Sequence, residues 1–354
     1  MSSIDRGRLE ELLSGLCRAG GTALHLRPGR APWIRLEGKL VDVGGDPISV
    51  PDLDDLLREF LFADHRLRLD RGEEVEVLFA SQGGDRFRTA VLPTEDGTHL
   101  VFRRVPDRPP TFAEAGLPEM LATVADLGTG LCVMTGFHGS GKRSTLAAIV
   151  DRINAERPVH LVSIERHIEF VHRAQRALVH QRELGTHVAS VAEGIRQAQE
   201  QGADVLAVGD LESAADLDAV LGAVERGMLV LCSFEASCVV GAVADLQRLV
   251  PADERPRLRH RLAAALRVIV AQTLVRRRHG RGRVPLLEIL VRDEAVVRAI
   301  RRGRQDLLPE LMMRGRGLGM QTVDMALRAL LEQHQISADE AAWHASDRDW
   351  VLAR

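Results

Sequence analysis

At 354 residues the chain is too long for one ordinary hydrophobic core, so two domains are the default. A composition of 45% hydrophobic and 27% charged residues excludes a generally disordered chain. The 47 basic and 50 acidic side chains leave a formal net charge of −3, which excludes the clearly basic domain of a nucleic-acid binder. The absence of tyrosine and an aromatic content of 3% also remove the platforms on which bases stack.

The opening MSSIDRGRLEELL carries charges where a signal peptide needs an apolar core. No apolar run approaches the roughly 18–20 residues of a membrane span. Both readings predict a cytoplasmic protein. The apolar spacing of Leu9, Leu12, Leu13 and Leu16 predicts a helix over 5–19, and ALHLRP and WIRLEGKLV then alternate as strands. A helix around Leu53–Phe62 and the strands VEVLFAS, RFRTAVLP and HLVFRRVP complete a small α+β module over residues 1–106. His25, on one of these strands, reads as structural. The three prolines of VPDRPPTF stop helix and ladder alike, so 107–112 is predicted to be a linker.

Over residues 113–354 strands and helices alternate. GLCVMTG runs into a glycine turn and the helix KRSTLAAIVDRIN, followed by VHLVSIE, a helix near Val188–Gln201, DVLAVGD, a helix near Ala214–Glu225, and MLVLCSF. Buried strands separated by helices predict a parallel sheet covered on both faces. From Ala252 the chain reads as mainly helical, interrupted by a β-hairpin, QTLVRRRHGRGRVPLLEIL, with HGRGR as its turn. Arg276, Arg277, Arg278, Arg281 and Arg283 read first as the solvated tip of that hairpin; a polyanion patch is the alternative. Trp343 and Trp350 are expected to pack a terminal helix, with a partner contact as the alternative. Cys17, Cys132, Cys232 and Cys238 lack CxxC spacing and read as reduced thiols. His167, His172 and His180 fit no standard metal cluster.

The chemistry concentrates in MTGFHGSGKRSTL, residues 134–146. Strand, glycine turn, lysine and helix in that order form a phosphate-binding loop. Glycines let backbone N–H groups close on phosphate oxygens, and the helix N-terminus adds its positive dipole end. Gly136, Gly139, Ser140, Gly141, Lys142, Arg143, Ser144 and Thr145 are the candidate nucleotide-binding residues, with ATP the expected ligand.

The resemblance extends beyond the loop. TALHL, WIRLEGKL, RFRTA and VFRRVP before the linker, then TGFHGSGKRSTLAA, SIERHIEFVH, VHQREL, DVLAVGDLES, FEAS, VAQTLV, GRVPLLEIL and GLGMQTVDMAL, resemble in order the motifs of the secretion ATPase superfamily. Within it they resemble the PilT-type retraction motors of type IV pili, over roughly residues 20–345. The resemblance implies a RecA-like phosphate-loop α/β domain preceded by a small PAS-like α+β domain, six copies in a ring and nucleotide at the subunit interfaces. It makes Glu165 of the Asp box and Asp210 of Walker B the catalytic carboxylates and Glu235 the occupant of the γ-phosphate sensor position. Arg88 and Arg103 become arginines reaching a neighbour's nucleotide, the family's arginine between them being replaced by Asp96.

The departures fall on the chemistry. At position 143 the family has Ser or Thr, whose hydroxyl ligates Mg²⁺ in phosphate-loop NTPases; arginine offers no acceptor. Ser144 lies about 100° round the helix. Arg143 could instead reach the phosphates, which leaves Mg²⁺ open. Asp210 stands one methylene short of the family's glutamate. Arg166-His167 replaces Asp-Pro between Glu165 and Glu169. Glu235 replaces a histidine, and at about 4 Å a carboxylate repels each phosphate charge by roughly 1 kcal/mol in water and 4 in a partly buried site. Core positions and glycines, by contrast, are retained. The expectation is a PilT-like hexameric ring protein that binds nucleotide with weak or absent hydrolysis. It would act as an accessory or regulatory subunit, alone or in a mixed ring with an active motor. A pilus or secretion platform protein at the inner membrane would be its partner, and nucleic acid would not. A working divergent motor and a non-enzymatic scaffold are the alternatives.

Overall fold

The computed structural model describes residues 5–353 except Glu37, Asp107, Gly280 and Arg281. Linker residue Asp107 and hairpin arginine Arg281 therefore lie outside the described residues. The chain divides into two units, Met1–Asp107 and Arg108–Arg354.

In the first unit, α1 (Arg6–Arg18) starts where the Asp5 carboxylate accepts the Arg8 N–H at 2.8 Å. Strands β1 (Ala23–Leu26), β2 (Trp33–Leu36) and β3 (Lys39–Asp42) follow. WIRLEGKLV is thus a hairpin and not one strand; Gly38, with φ of 82°, takes a turn conformation open chiefly to glycine. Helix α2 (Val50–Phe60) begins ahead of the predicted Leu53 because Ser49 and Asp52 form a capping box and Pro51 sits in the first turn. Helix α3 (Ala63–Asp70) escaped prediction because none of its residues is buried, so it has no apolar stripe to read. Strands β4 (Val75–Ala80), β5 (Arg86–Thr94) and β6 (Gly97–Val105) complete an antiparallel sheet of order β3-β2-β1-β6-β5-β4. Leu9, Leu13 and Leu16 of α1 pack with Phe87 and Phe102 of the sheet, all essentially inaccessible.

The second unit opens with a short α4 (Phe112–Ala115) and then β7 (Gly130–Thr135), α5 (Lys142–Glu156), β8 (His160–Glu165), β9 (Leu178–Glu183), α6 (Val191–Glu200), β10 (Val205–Asp210), α7 (Ala214–Glu225) and β11 (Leu229–Phe234). Helices α8 (Val239–Arg248) and α9 (Arg255–Ala265) lead to the hairpin β12 (Leu266–Arg276) and β13 (Arg283–Val291). The sheet order is β13-β12-β7-β11-β10-β8-β9, parallel throughout except for β13. Every residue of β7 and β11 is buried, as parallel strands covered on both faces require. Helices α6 to α9 contribute to one apolar cluster and α5 to another. Strand β9 was missed because its side chains are exposed or half-buried, leaving no buried run. Strand β12 starts six residues before the predicted Gln272, directly after α9.

Helices α10 (Glu294–Arg301), α11 (Leu308–Arg314), α12 (Val323–Glu332), α13 (Ala338–His344) and α14 (Arg348–Leu352) close the chain. Residues of α12, α13 and α14 form a small core with Val275, Val284 and Leu286 of the hairpin. Trp350 stacks under the Arg328 guanidinium at 5.1 Å. Trp343 departs from expectation: it is 79% exposed, because α13 packs through Ala341.

Candidate functional site

Parallel register brings the carboxyl ends of the central strands to one edge of the sheet. Thr135 of β7 pairs with Phe234 of β11, Ser233 with Asp210 of β10, and Val208 with Ile164 of β8, one residue before Glu165. That edge, outside the carboxyl ends of the strands, is where open α/β sheets bind ligands. The glycine loop leaves β7 there and enters α5.

Within the loop Gly136 and Gly141 have φ of 148° and 88°. A Cβ on Gly136 would come within 2.4 Å of the Gln272 carbonyl oxygen, and one on Gly141 within 2.7 Å of Gln272 Nε2. Only glycine therefore lets the loop fold against β12. Gln272 holds it there: its Nε2 donates to the Ser140 carbonyl at 2.9 Å and its Oε1 accepts from the Thr145 hydroxyl at 2.6 Å. The Ser140 Oγ is buried without a partner. A buried orphan hydroxyl beside loop N–H groups at the start of a 15-residue helix fits a polyphosphate. Gly139 is exposed in a left-handed conformation, and Ser144 makes no side-chain hydrogen bond among the described residues.

Two cations meet the carboxylates of the strand ends. Lys142, 7% exposed, places Nζ 3.8 Å from Asp210 Oδ1. Arg143 is engaged at both ends of its fork: Nη1 pairs with Glu169, and Nη2 donates to Asp210 Oδ2 at 3.1 Å. The Ser233 hydroxyl donates to Asp210 Oδ1 at 2.6 Å. Burial pushes the Asp210 carboxyl up, but Ser233, Lys142 and Arg143 together hold it below its ordinary value. Burial acts against the Arg143 charge, and Glu169 and Asp210 more than restore it. The guanidinium is therefore directed at two carboxylates. A metal ion does not fit here, since residue 143 supplies no acceptor and both carboxylates already face a cation.

Glu165 lies beside this clasp and accepts the Ser163 hydroxyl at 2.8 Å. Burial raises its carboxyl above the ordinary 4.5, with Ser163, His172 and Gln181 opposing and Glu169 adding to the rise. The folded chain thus holds this proton more tightly than the unfolded chain. Its stabilising contribution is complete below 4.5 and is lost as pH rises through the raised folded value. Asp210 has the opposite sign: it adds stability above 3.8 that disappears as pH falls through its lowered folded value. Glu165→Gln, which keeps an acceptor for Ser163, is expected to raise the melting temperature at about pH 8 and to lose that gain near pH 4. Thermal melts of both proteins across that range check the sign.

Arg166 pairs with Glu212 at 2.7 and 2.8 Å, and His167 with Glu183 at 3.0 Å. The replacements in the Asp box are thus absorbed into an ion pair at Arg166 and a hydrogen bond at His167. Buried His172 faces Asp151 at 3.4 Å, and His180 contacts His160 at 3.0 Å. No group of three or more potential metal ligands occurs among the described residues. Glu235 is exposed just past β11, without an ion pair or side-chain hydrogen bond among the described residues. In the first unit Arg88 stands directly across from Arg103 and pairs with Glu76 at 2.9 Å. Asp96 is held in the β5–β6 turn by Thr94 and Arg27.

The structure brings Lys142, Arg143, Asp210, Glu165 and Glu169 together at one strand edge. Gln272, Ser163 and Ser233 were not anticipated as site residues. Their signal was present, a polar residue inside the apolar runs VAQTLV, LVSIE and VLCSF.

A glycine loop between the first strand of a parallel sheet and its following helix, with carboxylates on neighbouring strand ends, defines a RecA-like phosphate-loop protein. Residues 62–316 match the profile of the Type II/IV secretion system protein family, and the chain belongs to that family. It is 31% identical to the type IV pilus retraction ATPase PilT of Pseudomonas aeruginosa, over 94% of this chain and 96% of that one. It is 30% identical to the type IV pilus ATPase PilU of the same organism, over 95% and 88%. The crystal structure of the pilus retraction motor PilT with bound ADP superposes with a TM-score of 0.87 at 27% identity, covering 96% of this chain and 97% of that chain.

Proposed function

We propose that this chain is a PilT-like ring subunit that binds nucleotide, turns it over weakly or not at all, and serves as an accessory or regulatory subunit of a pilus or secretion machine. The observation that carries the reading is the Arg143 clasp on Asp210 and Glu169. A fixed guanidinium stands among the carboxylates at the position from which the family holds a metal, so nucleotide binding proceeds without a divalent cation. The loop glycines, Lys142 and the orphan Ser140 hydroxyl support retained binding of ATP or ADP. PilT was crystallised with ADP.

In this reading Gly136, Gly139, Ser140, Gly141, Lys142, Ser144 and Thr145 form the nucleotide loop, Glu165 and Asp210 occupy the catalytic positions, and Glu235 repels the γ-phosphate. Arg88 and Arg103 reach a neighbouring subunit's nucleotide. Their places directly opposite one another on adjacent strands put both guanidiniums at one point of the sheet, which supports that role. Residues 107–112 are the linker between the N-terminal module and the ATPase module. The ring is hexameric, homomeric or mixed with an active motor, and meets a platform protein at the inner membrane. No helix among the described residues is long and apolar enough to cross a membrane; in this reading membrane association runs through partners.

A second reading, a working divergent motor, is favoured by one observation: Glu165 keeps a hydrogen-bonded, half-buried carboxylate of the kind that can serve as a base. Steady-state ATP hydrolysis with Mg²⁺, beside Lys142→Ala, separates the two, with nucleotide titrated in the same preparations with and without the metal. Binding that is unaffected by chelator and weakened by Lys142→Ala, without appreciable Lys142-dependent turnover, is the expected result. Lys142-dependent turnover of about 1 s⁻¹ or more, the ordinary enzyme range, would make the chain a motor.

A further inference from the structure

The β12–β13 hairpin and α13 enclose a groove of about 790 Å³, whose walls include Leu274, Arg276, Arg277, Arg278, Arg283 and Trp343. All four arginines are exposed, and none has a carboxylate partner among the described residues. The groove's own acids, Asp339 and Glu340, form no ion pair with them among the described residues, and four arginines against two acids leave an excess of two positive charges. Glu340 Oε1 already accepts the Arg276 backbone N–H at 2.8 Å and faces His344 at 3.6 Å, and Asp339 makes no ion pair among the described residues. Four guanidiniums within eight residues repel one another, a cost that an anion removes. Beside them stands Trp343, the most exposed large hydrophobic side chain of the described residues at 79%. Helix α13 does not need it for packing, because Ala341 makes the buried contact.

Arginine and tryptophan are the side chains most enriched where binding energy concentrates at interfaces, and a guanidinium fork matches a carboxylate with two parallel hydrogen bonds. A single exposed indole and a chain net charge of −3 provide neither the stacking series nor the basic surface of a nucleic-acid site. The patch is a concave groove and not the apolar face of an amphipathic helix, which argues against a bilayer. We propose that this groove docks an acidic segment of a partner protein, with carboxylates on the guanidiniums and an apolar side chain against Trp343.

The test uses the full chain and a labelled peptide of alternating glutamate and aspartate around one central phenylalanine, read by fluorescence anisotropy at low salt. Binding tighter than about 100 μM is expected. The double variant Arg277→Ser, Arg278→Ser should weaken it at least about tenfold, and so should Trp343→Ala. Replacing the phenylalanine by alanine in the peptide should weaken wild-type binding but not binding by Trp343→Ala. All three side chains are exposed, so circular dichroism should stay unchanged. No binding, or affinity unmoved by either variant, would overturn the proposal. Equal binding of the phenylalanine-free peptide and of a single-stranded oligonucleotide would reduce the patch to a general polyanion surface. Arginine-dependent binding to phosphatidylglycerol vesicles in preference to the peptide would make it a membrane contact. Self-association of the chain abolished by Trp343→Ala would make a second copy the occupant; any of these three results would also overturn it.

Discussion

Arg143→Thr is expected to raise Mg²⁺-stimulated ATP turnover at least about tenfold over the wild-type chain, equivalent to about 1.4 kcal/mol of barrier. The substitution should also make nucleotide binding depend on the metal. In the wild-type structure one guanidinium engages both Glu169 and Asp210. Threonine withdraws that charge, frees both carboxylates and returns a hydroxyl acceptor to the position that ligates Mg²⁺ in phosphate-loop NTPases. The variant should fold. The Arg143 side chain is 38% exposed, and ion pairs screened by solvent to that degree contribute at most about 1 kcal/mol. Recovery should stay partial, since Asp210 remains a methylene short of a glutamate, and a misplacement near 1 Å can cost about 100-fold. Arg143→Thr combined with Asp210→Glu should therefore exceed Arg143→Thr alone. Phosphate release, measured with and without chelator, reads all three proteins. A silent Arg143→Thr that still binds nucleotide would move the block to Asp210 or Glu235.

Much of this site was legible because its parts are continuous in sequence. The glycine loop, Lys142 and the change at Arg143 stand within eight residues of one another, and apolar runs mark the strands that carry Glu165 and Asp210. What Arg143 does was not legible. Its partners lie 26 and 67 residues away, and the choice between phosphates and carboxylates depends on where β8 and β10 end relative to α5. Elements with a buried stripe were found, whereas α3 and β9, which bury little, were not. Trp343 failed for a related reason: composition predicts burial of an indole, but the turn of α13 that faces the core presents Ala341. A polar residue inside an apolar run can be noticed in the sequence. Its partner cannot be named there.

Gln272 is the sharpest case, and its substitution is expected to have the largest structural effect. Its side chain is 5% exposed and bridges two parts of the loop, donating to the Ser140 carbonyl and accepting from Thr145. Gln272→Leu keeps the volume and removes both bonds. It strands a buried carbonyl and a hydroxyl that is 127 residues from Gln272 in sequence. Each orphaned group costs about 1–3 kcal/mol, so a loss of about 2–6 kcal/mol is expected, visible as a lower denaturation midpoint. Nucleotide binding should weaken by about 10- to 100-fold as the loop loses its register against β12. Thr145→Val separates the two effects: it breaks the Thr145 bond alone and leaves the Gln272 amide on the Ser140 carbonyl. If loop position is what Gln272 controls, Thr145→Val should lose stability while keeping most of the nucleotide affinity. If both variants lose affinity equally, the hydroxyl of Thr145 acts on the nucleotide site by itself, and Gln272 is only its anchor.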